Sequence, residues 1–329
     1  MAMHEHINEY FNGKPFMVLC ALVLTITTFI ACGLGIKPAA TDNTGFFFSL
    51  AGPLIEHPTL SAMVNLLCLL ATGGILLAIN KVFTFVRSMT HLFASAFFLL
   101  QAAHPSGLVT FNAGTLLSLV TAMAVLPLFA SYQDRHSQRS IFLIFAIIAA
   151  GSMFHFGFLA LIPAFILGFL NMGVLNLKGI IAMLIGLVTP FWIVIGLGVI
   201  TPNDFMAPHI TGIWNLSGQP WINLELMLAV VTALLGIALA VINLMTIMNY
   251  RMQTRVYNAF FVFVLVIAIF ILCLDYSNVA VYLPLLGLMT AIQIAHFHTL
   301  RTVFHNRYIL LLVFIAGCIG FCAANLTAL

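Results

Sequence analysis

Long apolar runs, each closed by a few polar or charged residues, repeat along the whole 329-residue chain. Each run is close to the roughly 20 residues that a helix needs to cross a hydrocarbon core of about 30 Å. Backbone N–H and C=O groups in lipid must be paired within the spanning segment, so these runs predict helices rather than open sheets. We therefore expect an all-α, polytopic membrane bundle that forms a single transmembrane domain over residues 1–329.

The apolar runs predict eleven transmembrane helices. These lie near residues 16–35, 60–80, 88–103, 109–131, 139–156, 158–176, 179–200, 225–248, 256–274, 279–297 and 309–326. Residues 141–170 admit two interpretations, because one uninterrupted helix there would be about 45 Å long. A break at Phe156-Gly157 divides the stretch into two helices and gives eleven spans. A single span would give ten and would invert the topology that follows it.

The positive charges predict an orientation for the bundle. If the N-terminus is inside, ten of the eleven Lys and Arg residues fall on one side, and Lys37 is the exception. Cytoplasmic loops of membrane proteins carry such an excess of Lys and Arg. The charge pattern therefore predicts a cytoplasmic N-terminus, a C-terminus on the outside, and long outside loops near residues 36–59 and 201–224.

Composition excludes several classes of function. The chain is 63% hydrophobic and 6% charged, whereas soluble domains carry about 25% charged residues. All six Cys lie in predicted spans without metal-binding spacing, so we interpret them as packing residues. No phosphate-binding loop, serine nucleophile motif or zinc motif occurs. We expect no metal, no cofactor and no nucleic-acid partner, with membrane lipids as the surroundings of the chain.

The first long loop carries the candidate catalytic acids, Asp42 and Glu56, together with the aromatic run Phe46-Phe47-Phe48. A loop of this type can lie in the membrane interface with its polar residues facing a cavity. A carboxylate there is a candidate general base, and the neighbouring His57 is a candidate for holding a phosphate. The alternative is that all of these are ordinary polar residues of an aqueous loop.

The second long loop and the central turn supply the other candidates. Asp204 and His209 are candidates for binding substrate or phosphate with Lys37 and His57. His155 lies next to the expected break at Phe156-Gly157. Ionisable groups inside membrane segments are functional candidates because burying them is costly. A His that is simply hydrogen-bonded to a neighbouring helix explains His155 equally well.

Residues 134–200 resemble the central part of an uncharacterised family of multi-pass inner-membrane proteins from Bacteroidota. This resemblance implies a location in a bacterial inner membrane, where the predicted outside C-terminus would be periplasmic. The resemblance rests on a basic inside loop, an S-x-F-x-F turn (Ser152, Phe154, Phe156) and a later helix with Gly186 and Thr189-Pro190. The layout is also similar to GT-C type membrane glycosyltransferases and to glycan polymerases that use polyprenyl-linked sugars. That similarity implies an essential acid in the first outside loop, a position open to Asp42 or Glu56, although neither forms a D-x-D or E-x-D pair.

Three functions are compatible with the sequence. The first is glycosyl transfer from a polyprenyl-linked sugar at the outer leaflet, with Asp42 or Glu56 as base and Lys37, His57 or His209 holding the lipid phosphate. The second is a transporter or flippase with a mid-membrane cavity near Pro127, Pro163 and Pro190. The third is a non-catalytic subunit of a cell-envelope assembly with a protein partner.

Overall fold

The computed structural model describes residues 10–39, 45–48, 57–86, 90–207, 210, 212, 223–248, 250–299 and 307–327. Eleven α-helices of at least eleven residues lie within these ranges, and the same ranges contain no β-strand. The helices are α1 (Lys14–Gly33), α2 (Pro58–Phe83), α3 (Leu92–Ala102), α4 (Ala113–Ala130), α5 (Gln138–Ser152), α6 (Leu161–Asn171), α7 (Leu177–Gly196), α8 (Leu224–Ile247), α9 (Met252–Leu274), α10 (Val279–Thr299) and α11 (Arg307–Thr327).

Eight of these helices are long and apolar enough to cross a membrane, which agrees with the predicted helical membrane bundle. The shorter apolar helices are α3, α5 and the segment Phe156–Asn171, which contains α6. Each predicted span therefore coincides with a helix in the described part of the chain. The number of helices that cross the bilayer, eleven or ten, stays a prediction because three of them are short.

The chain breaks its helix within residues 141–170, close to the predicted position. Helix α5 ends at Ser152, and His155 has an extended backbone with φ −160° and ψ 134°. A 3-10 turn over Phe156–Ala160 then leads into α6. Gly151 permits this reversal because the ring of Phe158 occupies the space that its side chain would fill. By contrast, α4 and α7 continue through Pro127 and Pro190.

Backbone contacts between loops define two faces of the bundle. On one face, which we call the long-loop face, Ala39 donates to Ser106 O and Phe47 donates to Met153 O. On the opposite face, Gln133 donates to Met172 O. The described helix ends and loops of that opposite face carry Lys14, Lys81, Arg135, Arg139, Lys178, Arg251 and Arg255. We call it the basic face, and its assignment to the cytoplasm remains a prediction.

Helix α10 lies at the centre of the bundle. It packs against α3, α4, α8 and α9, and every residue from Val279 to Phe297 is buried. Polar side chains occur along it, and one of them joins three helices. Gln293 Oε1 accepts a hydrogen bond from Asn243 of α8 at 2.9 Å, and Gln293 Nε2 donates to Asn258 Oδ1 of α9 at 3.2 Å. This amide chain fixes the register of α8, α9 and α10.

Two helices lie at the periphery. Helix α7 packs mainly on α5, where Gly186 lets the backbones approach so closely that a Cβ atom would lie 2.6 Å from Phe142 O. Helix α11 is largely exposed along its length, and near its C-terminal end Asn325 Nδ2 donates to Ala103 O at 3.2 Å. Both helices present most of their apolar surface to the surroundings of the bundle.

Candidate functional site

A cavity of about 200 Å³ opens on the long-loop face between the α5–α6 break and the turn that joins α9 to α10. Its polar lining comes from four side chains in two distant parts of the sequence. His155 comes from one part, and Asp275, Asn278 and Tyr282 come from the other. All four are buried. The site exists because the break in one helix pair faces the turn of another.

Asp275 is the central charged group of the cavity. It ends α9, and it is 7% exposed. Its Oδ2 accepts hydrogen bonds from Tyr282 OH at 2.8 Å and Asn278 Nδ2 at 3.0 Å, and its Oδ1 accepts from Ser277 Oγ at 3.1 Å. These three hydrogen bonds fix the orientation of the Asp275 carboxyl group at the wall of the cavity.

His155 faces this group across the cavity and is 2% exposed. Its Nδ1 accepts a hydrogen bond from Gly157 N–H at 2.9 Å, so the neutral ring carries its proton on Nε2. The ring centroid lies 6.1 Å from that of Tyr282 in an edge-on arrangement. His155 lies beside the break, at the start of the 3-10 turn, and both the local turn and the packing on α10 hold its ring.

Aromatic rings from both long loops and the α5–α6 break surround the mouth of the cavity. Phe46 lies edge-on to Phe156 at a centroid distance of 4.9 Å and stacks on Phe205 at 5.2 Å. Met206 N–H donates to Phe46 O at 2.8 Å, which joins the second loop to the first. Phe46 and Ile210 line the cavity itself. In such an arrangement the aromatic rim can stack on one face of a ligand, while the polar interior binds the polar groups of that ligand.

The other predicted site residues fall into two groups. Lys37, His57 and Asp204 are exposed. Asp204 is held by Thr201, whose backbone N–H and hydroxyl both donate to its Oδ2, and these hydrogen bonds lower the pKa of the carboxyl. Asp42, Glu56 and His209 lie outside the described residues. Asp204 is next to Phe205 of the aromatic rim, whereas Lys37 and His57 do not line the cavity.

Sequence reasoning did not identify Asp275, Asn278 or Tyr282 as site residues. The signal was the polar sequence Asp275-Tyr276-Ser277-Asn278 between two long apolar runs. Tyr282 follows Asp275 by seven residues, which is two helical turns. The approach of His155 from another part of the chain depends on tertiary packing and leaves no local pattern.

A second polar cluster lies on the same face, at the start of α8. Glu225 Oε1 accepts a hydrogen bond from Ser106 Oγ at 2.8 Å and lies 3.2 Å from Nε2 of the buried His104. The latter contact is an ion pair only when His104 is protonated. Neither His104 nor Ser106 was singled out from the sequence. The pair attaches the turn Pro105–Gly107 to α8.

Metal chemistry has no assembled ligand set here. Among the described ranges, no three His, Cys, Asp or Glu side chains lie close enough together to hold a metal ion. The chemistry available in the cavity is therefore that of a carboxylate, an imidazole, an amide and a phenol.

Comparison with known proteins gives a family without an assigned activity. No curated protein and no solved structure matches the chain. One family model matches residues 47–329, which include all eleven helices except α1. The chain therefore belongs to DUF6427, a family of unknown function.

Proposed function

We propose that this protein transfers a sugar from a polyprenyl phosphate at the long-loop face of the membrane. The observation that carries the proposal is the buried arrangement of Asp275, Asn278, Tyr282 and His155 beneath the aromatic rim formed with Phe46. Sugar hydroxyls are bound by carboxylate, amide and phenol groups, while the apolar face of a sugar ring stacks on aromatic side chains. Both kinds of group line this cavity.

The size of the cavity favours a single sugar ring. Its volume of about 200 Å³ equals the space of roughly seven water molecules at about 30 Å³ each. A drug-sized ligand needs about 300–1,000 Å³. In this proposal one hexose occupies the cavity, its lipid-linked phosphate lies outside it, and Lys37, His57 and His209 of the two loops are the proposed phosphate-binding residues.

The proposed reaction is a substitution at the anomeric carbon. An acceptor hydroxyl oxygen forms the new bond to that carbon, and the bond from the carbon to the phosphate oxygen breaks. The polyprenyl phosphate leaves with the electron pair, and the hydroxyl proton passes to a carboxylate base, for which Asp42 or Glu56 is proposed. Asp275 is proposed to bind a sugar hydroxyl instead, because its hydrogen bonds to Ser277, Asn278 and Tyr282 hold the carboxyl group in one orientation at the cavity wall.

The test uses membranes that contain native acceptors. Membrane vesicles carrying each variant receive polyprenyl phosphate that bears a radiolabelled hexose, and the label is followed into material that no longer extracts as lipid. We expect Asp275→Asn and Tyr282→Phe to lower the transfer rate about tenfold or more, equivalent to a loss of roughly 1.4 kcal/mol or more of transition-state stabilisation. Asp134→Asn, an exposed acid next to Arg135 on the basic face, is the control and should transfer normally.

Two results would refute this function. The first is normal transfer by an Asp275→Asn variant that reaches native abundance in the membrane. The second is the absence of any transfer by the unaltered protein across donors that carry different hexoses. The double change Asp42→Asn with Glu56→Gln should abolish product at native membrane abundance, and full activity of that variant would remove both acids as bases.

One observation favours a second function, a transporter or flippase. The amide chain through Asn243, Gln293 and Asn258 lies inside the bundle on three adjacent helices, and polar groups at membrane depth often mark substrate pathways. In this alternative, cysteines introduced at Asn243 would react with a small water-soluble thiol reagent from one side, and the rate would change on adding substrate. In the glycosyltransferase, a thiol at that position stays unreactive from both sides.

A further inference from the structure

An apolar groove runs along the membrane-facing side of the bundle between α8 and α11, and we call it the α8–α11 groove. Its volume is about 610 Å³. Leu228, Leu235 and Ile242 line it from α8, and Ile309, Val313 and Gly317 line it from α11. Thr232 is the single hydroxyl-bearing residue among its lining residues. The groove is therefore suited to hydrocarbon rather than to a polar ligand.

The groove exists because α11 contacts the rest of the bundle at only a few of its described positions. Leu311, Phe314 and Cys318 are buried against the core, and Asn325 is hydrogen-bonded to Ala103 O. Gly317 lies between these contacts, and a Cβ added there would have no atom within 4 Å. The missing side chain thus leaves open space between two helices that otherwise touch.

The dimensions of the groove select its occupant. From Leu228 to Ile242 the groove follows α8 for about 21 Å at 1.5 Å per residue. The volume of about 610 Å³ spread over that length gives a mean cross-section of roughly 29 Å². A packed helix, at least about 10 Å wide, needs roughly 80 Å². A hydrocarbon chain about 4–5 Å wide fits, so the groove accommodates one lipid chain and excludes a partner helix.

A negative charge marks the long-loop end of the groove. Glu225 lies one helical turn before Leu228, on the same side of α8. Its Oε1 has the contacts with Ser106 and His104, whereas its Oε2 has no hydrogen bond within the described part of the chain. The described contacts give Glu225 no permanent cation, because His104 is charged only when protonated. A carboxylate at the edge of a hydrocarbon groove favours a lipid with a cationic group.

We propose that the α8–α11 groove binds one acyl chain of a phospholipid that has an amine head group, and that the ammonium group pairs with Glu225. Phosphatidylethanolamine has this chemistry. A phosphate without an amine would meet the carboxylate as a like charge, which is unfavourable. The bound lipid would fill the space between α8 and α11 and hold α11 against the bundle.

The first experiment compares two glycines of α11. The protein is reconstituted in nanodiscs of equimolar phosphatidylethanolamine and phosphatidylglycerol, released into mild detergent, and examined by native mass spectrometry. Gly317→Leu fills the groove and should lower retained lipid about tenfold. Gly320→Leu is the matched control, because a Cβ there also meets no atom within 4 Å but Gly320 does not line the groove. Val313→Phe, at an exposed lining position, is a second way to fill it.

The second experiment tests the head group. The unaltered protein should retain about one phosphatidylethanolamine in preference to phosphatidylglycerol. Glu225→Gln preserves an acceptor for Ser106 and should abolish that preference while a lipid is still retained. Asp134→Asn should leave the preference intact.

Three outcomes would overturn the proposal. Equal lipid retention by Gly317→Leu and the unaltered protein would remove the groove as the binding site. Equal retention of the two phospholipids by the unaltered protein would remove the amine assignment. Recovery of polyprenyl phosphate in place of a phospholipid from cell membranes would assign the groove to the proposed donor lipid instead.

Discussion

A single buried amide, Asn65, attaches the turn that carries His104 and Ser106 to two helices. Its Nδ2 donates to Gly107 O at 2.9 Å, and its Oδ1 accepts from Thr115 Oγ1 at 2.6 Å. The side chain is completely buried. Water cannot reach the groups that Asn65 binds, so they would stay unpaired if its side chain were removed. The role of Asn65 is therefore to stabilise the position of this turn.

We expect Asn65→Ala to destabilise the protein by about 2–4 kcal/mol, because it leaves the Gly107 carbonyl and the Thr115 hydroxyl without this partner. The measurement is thermal unfolding of the purified protein in detergent. Asn176→Ala is the comparison, since Asn176 caps α7 from a partly exposed position and its loss should cost about 1 kcal/mol. Equal shifts in the two variants would contradict the importance of burial.

At the scale of single residues, the sequence singled out His155 as a candidate but not the polar residues that share its cavity. His155 is visible because a titratable residue is rare in an apolar stretch, and its position beside Gly157 is local. Asn278 and Tyr282 are informative only once Asp275 is known to lie in a cavity. His104 was not recognised, because its proximity to Glu225 spans more than 100 residues of chain.

At the scale of helices, close backbone contact and polar pairing hold the bundle together where water-driven burial is absent. Small residues let membrane helices approach closely, as Gly186 does for α7 on α5. Hydrogen bonds between helices, such as those of Gln293, fix the register of α8, α9 and α10 relative to one another. Close packing at a small residue and hydrogen bonding between helices are tested by different variants.

Gly186→Val should loosen α7 from α5, because even the Cβ atom would meet Phe142 O. Overpacking of this kind costs about 1–3 kcal/mol. Gly196→Val on the same helix is the control, since a Cβ there has no atom within 4 Å. A lower melting temperature for Gly186→Val alone is the expected result. If both variants melt like the unaltered protein, α7 is not anchored at this glycine.

Gln293→Leu removes the central amide, so Asn258 Oδ1 loses the donor from Gln293 and Asn243 Nδ2 keeps only the backbone oxygen of residue 293 as its partner. We expect a loss of about 1–3 kcal/mol in the free energy of unfolding. The triple change Asn243→Leu, Gln293→Leu and Asn258→Leu should recover much of that loss, because no buried polar group is then left unpaired. Failure of the triple variant to exceed the single variant in thermal stability would refute the pairing argument.

The existence of the helices could be predicted from the apolar runs alone, because lipid permits few other backbone structures. The lengths of the helices could not be predicted from those runs. Helix α3 ends at Ala102 just before Pro105, and α5 ends early because Gly151 and Ser152 precede a turn. Hydrophobicity continues through both ends, so composition cannot show where the helical hydrogen bonding stops.

At the scale of the whole molecule, charge separates the two faces. The basic face carries the described Arg residues and all described Lys residues except Lys37, which is exposed on the long-loop face. The positive-inside bias predicts that the basic face is cytoplasmic. That assignment also decides whether the proposed sugar-binding cavity opens to the outside of the cell.

Thiol labelling of intact cells tests this orientation. In a background without the six native Cys, Lys37→Cys should react with a membrane-impermeant maleimide, whereas Arg135→Cys should react only after permeabilisation. Both positions are exposed, so access depends on the side of the membrane. Labelling of Arg135→Cys in intact cells would invert the predicted topology and place the cavity inside.

The central position of α10 has a consequence for biosynthesis. This helix, surrounded by α3, α4, α8 and α9, follows all four of them in the chain and is therefore synthesised after them. Until it arrives, these four helices lack their common packing partner, and Asn243 and Asn258 lack the amide that joins them. The native arrangement of α3, α4, α8 and α9 is therefore completed only after α10 has been translated and inserted among them.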